Sequence, residues 1–384
     1  MKRRDLLALA LTAPALAAGE ATPVARPTPW RIFAVTYRGR TDVERGFADH
    51  FAARGIPVEI TWRDIALDPA RLPGVVDEIR RERPDLVHAW GTGVTLGIAG
   101  RWDAADPSRF VRDIPVVFSL VAAPVGAGIV PDVREPGRPV TGVSHVASLA
   151  VQLQTMTNYR PCRALGMLHS PNEPNSAAVL AELQALGRRR GIAVHAAPFR
   201  VNAAGQPVPD GAGDLVRQLR ADGAEWLYMP PDSFLSTQAR DVVVPAALAQ
   251  GLPAFASTEQ LMSAGALLGL VSRYYSIGQF AAFKAEQILA GKMPASRIPV
   301  ETLTRFSLQI DLTAARADVV GKELLGAAEQ PEQAGVGQGG DDGPVQLEQR
   351  RQVGAGELAQ GVAGRQRWWR HEDLPGRALP ISSA

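Results

Sequence analysis

Short apolar runs alternate with longer helical patterns along most of the chain, and this alternation constrains the fold more than any other feature. The apolar run at 30–37 is rich in β-branched and aromatic residues, which favours a buried strand, and a helical pattern follows over 42–54. Strands and helices that alternate in this way form right-handed βαβ units, whose helices cover both faces of a parallel sheet. The sequence therefore predicts an α/β fold with parallel sheets.

The same alternation occurs twice, so the chain is predicted to contain two Rossmann-like lobes. Its 384 residues are enough for two lobes of roughly 150 residues each. Further strands are predicted at 56–62, 85–90, 114–120, 163–169, 192–198, 225–229, 253–256, 269–272 and 301–310. We assign an N-terminal lobe to 30–145 and a C-terminal lobe to 146–275. The late strand at 301–310 makes 276–325 a crossover that returns to the N-terminal lobe.

The first residues have the pattern of an export signal. Lys2, Arg3 and Arg4 precede an apolar run with small residues at its end, so 1–18 is predicted to be a signal peptide. The paired arginines leave open whether export uses the twin-arginine route. The apolar run is about thirteen residues long, whereas a membrane-spanning helix needs roughly 20, so no stable membrane insertion is expected.

Cys162 is the only cysteine and does not follow the signal, so neither a lipid anchor nor an intramolecular disulfide is expected. The mature protein is therefore predicted to be free in the periplasm. Residues 326–384 are rich in glycine and glutamine and contain no lysine, a composition that cannot bury enough apolar surface to fold. We expect that segment to be a disordered or non-native tail.

The balance of charges argues against a polyanion partner. Lysine and arginine number 41 against 39 acidic residues, a net charge of +2, so no nucleic-acid binding is expected. The six histidines show no metal-binding spacing, and no cofactor is expected. One enzyme alternative stays open, a dinucleotide-dependent oxidoreductase. Its basis is Gly91, Gly93 and Gly97, whose spacing after a predicted strand is a weak variant of a dinucleotide-binding fingerprint.

Ligand contacts are predicted at one edge of each sheet. In parallel α/β sheets the loops that leave the carboxyl ends of the strands line a crevice, and helices that begin there present unpaired N–H groups. Five such loops carry small or polar residues, at 91–93, 119–124, 170–176, 231–233 and 257–259. In the third loop, Asn175 or Ser176 is expected to be the N-cap of a helix. Tyr274 and Tyr275 follow a later strand and could supply an aromatic wall.

Several segments together resemble a known family. The stretch 265–294, the segment 138–144, and Asn172 with the pair Asn175-Ser176 resemble the signature of the tryptophan/tyrosine-type ABC transporter substrate-binding family. The match runs in order over residues 31–320. The resemblance implies a type I periplasmic binding protein fold, in which two lobes close on a small molecule. It also implies delivery of that molecule, chemically unchanged, to ABC permease and ATPase subunits, so no catalytic residues are expected.

The resemblance further implies which residues hold the ligand. Carried over position by position, they are Thr92, Gly93, Ser119, Leu120, Ser144, Asn172, Asn175, Ser176, Asp232, Ser233, Ser257, Glu259 and Tyr275. Many relatives carry Asp-Pro where this chain has Ala123 and Pro124. This change removes an obvious partner for a ligand ammonium group, which leaves an uncharged, aromatic or anionic ligand. An extracellular sensing module for a signalling receptor, built on the same fold, stays open as an alternative.

Overall fold

The computed structural model describes residues 28–316, so the predicted signal peptide at 1–18 and the predicted tail at 326–384 lie outside the described residues. The strands in chain order are β1 (Trp30–Thr36), β2 (Val58–Asp64), β3 (Leu86–Trp90), β4 (Val116–Ser119), β5 (Val140–Ser144), β6 (Ala164–His169), β7 (Ala193–Pro198), β8 (Trp226–Met229), β9 (Ala254–Ala256), β10 (Leu268–Val271), β11 (Glu301–Thr302) and β12 (Ser307–Ile310). The helices are α1 (Asp42–Ala53), α2 (Leu72–Glu82), α3 (Gly91–Ala99), α4 (Leu149–Tyr159), α5 (Pro174–Arg190), α6 (Ala212–Ala221), α7 (Ser233–Gln238), α8 (Val244–Ala249), α9 (Glu259–Ser263) and α10 (Tyr274–Leu289).

The strands form two six-stranded sheets with the same order. The first runs β2-β1-β3-β4-β5-β11 and the second β7-β6-β8-β9-β10-β12. All pairs are parallel except β10 with β12. In each sheet the order reverses between the first and the third strand of the lobe, which are β1 and β3, and β6 and β8. Loops that leave the carboxyl ends of strands at such a reversal form the crevice where α/β proteins bind ligands.

Both faces of the first sheet are buried at its central strands, which explains why β3 and β4 show no alternation of buried and exposed residues. Phe33 belongs to one apolar cluster and its neighbour Ile32 to another. Val87 and Leu86 divide between the same two clusters in the same way. Successive side chains of a strand point to opposite faces of the sheet, so helices must cover both faces. This is the doubly covered parallel sheet that the sequence predicts.

The chain passes between the lobes three times, after β5, after β10 and after β11. The first two crossovers touch, because Val146 and Val271 form an antiparallel bridge and the Ser272 hydroxyl donates to the His145 carbonyl oxygen at 3.2 Å. The first crossover leads into α4, whose Leu153 packs in a core of the second lobe. Together these crossovers connect the lobes, and we call them the hinge.

A close helix contact secures the return of the chain to the first lobe. Gly46 of α1 lies against the carbonyl oxygen of Tyr275, and Gly278 of α10 lies against that of Val43. A Cβ atom at either glycine would overlap the facing backbone. The two glycines therefore let α10 pack directly on α1, where Phe47 joins the same apolar cluster as α10.

Three local predictions are wrong. The predicted strand at 301–310 is two strands, β11 and β12. The chain returns to the first sheet over 276–302, through α10 and β11, as predicted for the crossover. The last strand, β12, pairs instead in the second sheet. The N-cap of α5 is Glu173, because Pro174 takes the first helical position, where its missing N–H costs nothing, so Asn175 and Ser176 lie in the first turn. Residues 91–93 are the first turn of α3 and not a loop before it. No helix within 28–316 has the length and apolar character that a membrane span requires.

Candidate functional site

A small cavity lies between the lobes at the two points where the strand order reverses, and we call it the switch-point cavity. Residues after β1, β3 and β4 line it from the N-terminal lobe, and residues after β6, β8 and β9 line it from the C-terminal lobe. His145 and Tyr274 line it from the hinge. The cavity volume is about 40 Å³, which leaves room for only a few water molecules, because one water needs roughly 10–15 Å³ of such space. The lobes therefore lie closed against each other at this point.

The wall from the N-terminal lobe combines aromatic rings with one positive charge. The rings of Tyr37 and Trp90 stack with centroids 5.8 Å apart and planes 10° apart. The guanidinium carbon of Arg38 lies 5.1 Å from the Trp90 ring centroid, within the range of a cation–π interaction. Arg38 is half-buried, and burial lowers its pKa from the usual value, against the opposing effect of nearby Tyr274 and Glu44. Among residues 28–316 it has no hydrogen-bond or ion-pair partner.

The same wall presents the start of α3. Trp90 is the N-cap of this nine-residue helix and makes no side-chain capping hydrogen bond. Gly91 and Thr92, the first two helical residues, line the cavity. The first N–H groups of a helix have no partner within it and carry its positive dipole end, so this turn attracts negative charge. Leu120 lies beside it with a φ of 59°, an uncommon strained conformation for a residue with a side chain.

Three buried polar atoms of the lining have no hydrogen-bond partner among the described residues. They are Nε1 of Trp90, Nδ1 of His145 and Oδ1 of Asn175, in side chains that are 7%, 5% and 3% exposed respectively. Burial lowers the pKa of His145 to about 3, so its ring is neutral. An unpaired buried polar atom costs free energy, about 1–3 kcal/mol for each group. A ligand that hydrogen-bonds to these atoms would recover that cost.

The carboxylate of Asp232 is fully used inside the C-terminal lobe. It accepts hydrogen bonds from the Ser170 backbone N–H at 2.7 Å, the Ser170 hydroxyl at 2.9 Å and the Ser176 hydroxyl at 2.6 Å. It also caps α7 by accepting from the backbone N–H of Leu235 at 2.8 Å. These four donors join the loops after β6 and β8, so Asp232 holds the shape of this wall.

Glu173 is a second carboxyl group of the same wall. Its two oxygens accept from the backbone N–H of Ser233 at 2.8 Å and from the Ser233 hydroxyl at 2.6 Å. Burial and then the neighbouring Asp232 carboxylate raise the pKa of Glu173 well above its usual value. Burial, Glu173 and Asp232 together raise the pKa of Tyr37 across the cavity. The acidic groups of this wall are therefore paired with donors of their own lobe.

A carboxylate also fixes the hinge side of the cavity. Glu259 of α9 accepts a hydrogen bond from the backbone N–H of Tyr274 at 2.7 Å. Tyr274 is the first residue of α10, so this bond connects the second lobe to a helix that packs on the first. The Tyr274 and His145 rings meet edge to face with centroids 6.3 Å apart. Glu259 thus positions the aromatic back wall of the cavity.

A family model with the description "ABC transporter substrate binding protein" matches residues 34–329 of the chain. That range covers most of the sequence. The chain is an ABC transporter substrate-binding protein. Its two lobes are those of the type I periplasmic binding protein fold, as the sequence predicts.

Known proteins similar to this substrate-binding protein agree with the family. A tyrosine-binding protein of Clostridioides difficile (strain R20291) is 23% identical over 269 residues, which cover 70% of this chain and 71% of that protein. The ABC domain of Streptococcus pneumonia in complex with L-Trp aligns with a TM-score of 0.63 at 20% identity, covering 76% of this chain and 94% of the other. A conserved domain protein of Vibrio cholerae aligns with a TM-score of 0.66 at 20% identity, with coverage of 76% and 95%.

Five of the residues predicted for ligand binding line the switch-point cavity of the substrate-binding protein. They are Thr92, Leu120, Asn175, Asp232 and Ser233. Among them, Asn175 turns its amide nitrogen to the Pro231 carbonyl oxygen at 2.5 Å and leaves its own oxygen unpaired. These five residues come from both lobes.

The other eight predicted residues lie outside the lining, and those with a recorded partner are used elsewhere. Ser119 is bonded to His88, Ser176 to Asp232, Glu259 to Tyr274, and exposed Asn172 to the Gly205 carbonyl oxygen. Tyr275 donates its hydroxyl to Asp49 at 2.9 Å on the outer side of α10. Gly93 lies one residue further into α3, Ser144 lines a different cavity, and buried Ser257 has no partner for its hydroxyl among the described residues.

Sequence reasoning missed five lining residues that give the cavity its chemistry. They are Tyr37, Arg38, Trp90, His145 and Glu173. The sequence did offer a reason to consider Tyr37 and Arg38, because both directly follow the first predicted strand. Their importance depends on the reversal of strand order beside β1, which no local pattern reveals. Of the two tyrosines expected to form an aromatic wall, Tyr274 lines the cavity and Tyr275 does not, because adjacent residues of a helix point about 100° apart.

A second, larger cavity of about 630 Å³ lies beside the crossovers, and we call it the crossover cavity. Its walls come from 122–126, 144–149 and 300–306, and Ala123 is part of them. Its buried polar groups pair with each other, since the Tyr228 hydroxyl donates to Gln152 at 3.1 Å. No buried side-chain atom of its lining lacks a partner within 28–316, whereas three do in the switch-point cavity. The switch-point cavity is therefore the stronger candidate for ligand recognition.

Proposed function

We propose that this protein is the exported solute-binding component of an ABC importer, which closes its two lobes over a small molecule with a flat ring and releases it unaltered. One observation carries the proposal. Both lobes and the hinge contribute walls to a single cavity at the two reversal points of strand order. A ligand there touches both lobes only when they are closed.

Closure follows from that geometry. A ligand shifts an equilibrium between open and closed forms by the difference in its affinity for the two. Contacts to Thr92 in one lobe and Asn175 in the other exist together only in the closed form. The cavity of about 40 Å³ is too small for an aromatic molecule as it stands, so the ligand-bound form is less tightly closed than the form described here. The ligand must therefore enter while the lobes are apart, which is a hinge motion of the kind known for periplasmic binding proteins.

The shape of the walls supports a ligand with a flat ring. Tyr37, Trp90 and Tyr274 supply aromatic faces around the cavity. Aromatic rings favour offset or edge-to-face contacts with another ring, worth about 0.5–1.5 kcal/mol beyond the burial of area. Similar proteins are described as tyrosine-binding and as a complex with L-Trp. An aromatic ligand for this protein agrees with both.

The cellular role in this proposal follows from the family and from the first residues. The pattern at 1–18 is that of an export signal, which supports a periplasmic location for the mature protein. An ABC permease with its ATPase subunits would then receive the ligand from the closed form. No chemical step is needed, because the protein binds and releases the same molecule.

Small-angle X-ray scattering combined with recovery of the ligand tests this proposal. The mature protein is first screened by thermal shift against aromatic acids, amino acids, amides and nucleosides, because a ligand at 100 times its Kd stabilises by about 2.7 kcal/mol. We expect the radius of gyration to fall when a binder is added, and mass spectrometry to recover that binder unchanged. A matched control is Asn172→Ala, which alters an exposed loop residue outside the cavity and leaves the compaction intact. Equal radii with and without a confirmed binder, or a chemically altered binder, would contradict the proposal.

A further inference from the structure

The charged groups around the switch-point cavity are distributed unequally between the lobes. The N-terminal lobe presents hydrogen-bond donors, and the acidic groups of the C-terminal lobe are already paired within that lobe. This difference between the lobes limits the charge that the ligand can carry. The proposed binding of a flat ring does not specify that charge.

The donor side begins with Arg38. Its guanidinium group lines the cavity, is held over the Trp90 ring at 5.1 Å, and has no hydrogen-bond or ion-pair partner within 28–316. The acidic side chain that acts on it from α1 is Glu44, but the hydrogen bonds of Glu44 go to the backbone N–H and the hydroxyl of Thr41, at 2.6 and 2.7 Å. A planar guanidinium group with free N–H donors matches the two oxygens of a carboxylate.

The N-terminus of α3 is a second set of hydrogen-bond donors beside the same part of the cavity. The first turn of α3 has no side-chain cap, and its residues Gly91 and Thr92 line the cavity beside Arg38. Unpaired N–H groups at a helix N-terminus form a ready anion site. Next to them the Nε1 atom of Trp90, in a side chain only 7% exposed, is a donor without a partner among the described residues. An anion at this corner would meet a charged fork, helix N–H groups and an indole N–H together.

The carboxylate oxygens of the C-terminal wall are not free to bind a cation, because they already accept hydrogen bonds. Both oxygens of Asp232 accept from the four donors of its own lobe. Both oxygens of Glu173 accept from Ser233. Burial beside Asp232 also favours the protonated form of Glu173, which raises the pKa of that group. An ammonium group would have to compete with these bonds inside the wall.

We infer that the ligand of the switch-point cavity is an aromatic carboxylate without an ammonium group, with its carboxylate held by Arg38 and the start of α3. This inference rests on the proposed function and names its substrate class. Asn175 Oδ1 and His145 Nδ1 then serve polar substituents of the ring, because both atoms belong to residues of the lining and have no partner among the described residues.

Three ligands with one ring and different charges test the inference. They are 3-(4-hydroxyphenyl)propionate, which is an anion, L-tyrosine, which is a zwitterion, and tyramine, which is a cation. We expect isothermal titration calorimetry at pH 7 to give the lowest Kd for the propionate, a higher Kd for tyrosine and no binding of tyramine. Tighter binding of tyrosine or tyramine than of the propionate overturns the inference.

Variants identify the residue responsible. Arg38→Gln removes the charge, and we expect the Kd of the propionate to rise about 10- to 100-fold, because hydrogen bonds to charged groups are among the strongest in proteins. Arg38→Lys retains the charge without the planar fork and should lose less. Thr92→Val provides a second probe of the same corner, with an expected rise of about 2- to 10-fold. Arg45→Gln is the matched control, since Arg45 is an exposed arginine that lies over Tyr275 outside the cavity.

The outcome also separates this inference from the proposed function. A ligand without an anionic group that compacts the protein in scattering experiments would refute the carboxylate assignment and leave the solute-binding role in place. Absence of compaction with every binder would refute the solute-binding role itself. An unchanged Kd for the propionate in folded Arg38→Gln and Thr92→Val proteins would remove the assigned corner.

Discussion

Asp232→Asn is predicted to destabilise the C-terminal lobe. Asp232 is 1% exposed, and each of its oxygens accepts two hydrogen bonds. Asparagine keeps one oxygen, which can still accept from the Ser170 hydroxyl and the Leu235 N–H. An amide nitrogen then replaces the oxygen that accepts from the Ser170 N–H and the Ser176 hydroxyl. The hydroxyl can turn to accept, but the backbone N–H cannot.

The size of the effect depends mainly on the Ser170 backbone N–H, which loses its acceptor. A buried N–H group without an acceptor costs about 1–3 kcal/mol. Loss of the negative charge at the start of α7 adds about 0.3–1 kcal/mol, because a helix N-terminus stabilises an anion. We therefore expect Asp232→Asn to lower the free energy of unfolding by about 1–4 kcal/mol.

Equilibrium urea unfolding followed by circular dichroism measures this quantity. The control is Asp68→Asn, because Asp68 also caps a short helix, by accepting from Ala70 at 3.0 Å, but at an exposed site. Asparagine is an equally good N-cap there, so the control should change by less than about 0.5 kcal/mol. If Asp232→Asn proves as stable as the control, Asp232 does not hold the two loops together, and its carboxylate is free for a ligand.

Two further predictions concern packing and pH. Gly278→Ala should lower the melting temperature by several degrees, because the new Cβ overlaps the Val43 carbonyl group, whereas Gly74→Ala in α2, with nothing within 4 Å, should raise stability by up to about 1 kcal/mol. A melting temperature of Gly278→Ala equal to that of the unmodified protein would show that α1 and α10 are not in close contact. Burial beside Asp232 raises the pKa of Glu173 in the folded state, so the folded protein keeps a proton that the unfolded chain has already released, and stability falls as pH rises from the usual carboxyl pKa toward the raised one. Urea unfolding at pH 5 and pH 8 should show a smaller fall for Glu173→Gln than for the unmodified protein, and equal falls would contradict the assigned cause.

The alternation of strands and helices was enough to predict both lobes. Predicted strands such as 85–90 and 225–229 correspond to β3 and β8 within a residue or so, since a doubly buried strand must be apolar throughout. No strand or helix was predicted over 140–160, although this segment contains β5 and all of α4. The short β5 carries two small residues, Thr141 and Gly142, and so lacks the apolar pattern of the other strands.

The site could be predicted at the level of loops and much less at the level of side chains. Asp232 and Asn172 have the residue types that bind ligands, but the fold turns one toward four donors and the other toward Gly205. Residue type alone does not show which polar groups are already satisfied. Arg38 was missed for the opposite reason, because an arginine after a strand is common, and only its lack of a partner within 28–316 marks it.

The core of the first lobe is complete only when α10, which follows the crossover after β10, has been made. Phe47 and Phe51 of α1 are fully buried in a cluster that includes Ile277 and Ala281 of α10, more than 220 positions later in the chain. While the ribosome is still making the second lobe, those phenylalanine rings have no helix to cover them. A growing chain therefore exposes the apolar face of α1 for most of its synthesis. We expect a chaperone to bind and shield this face until α10 has been made.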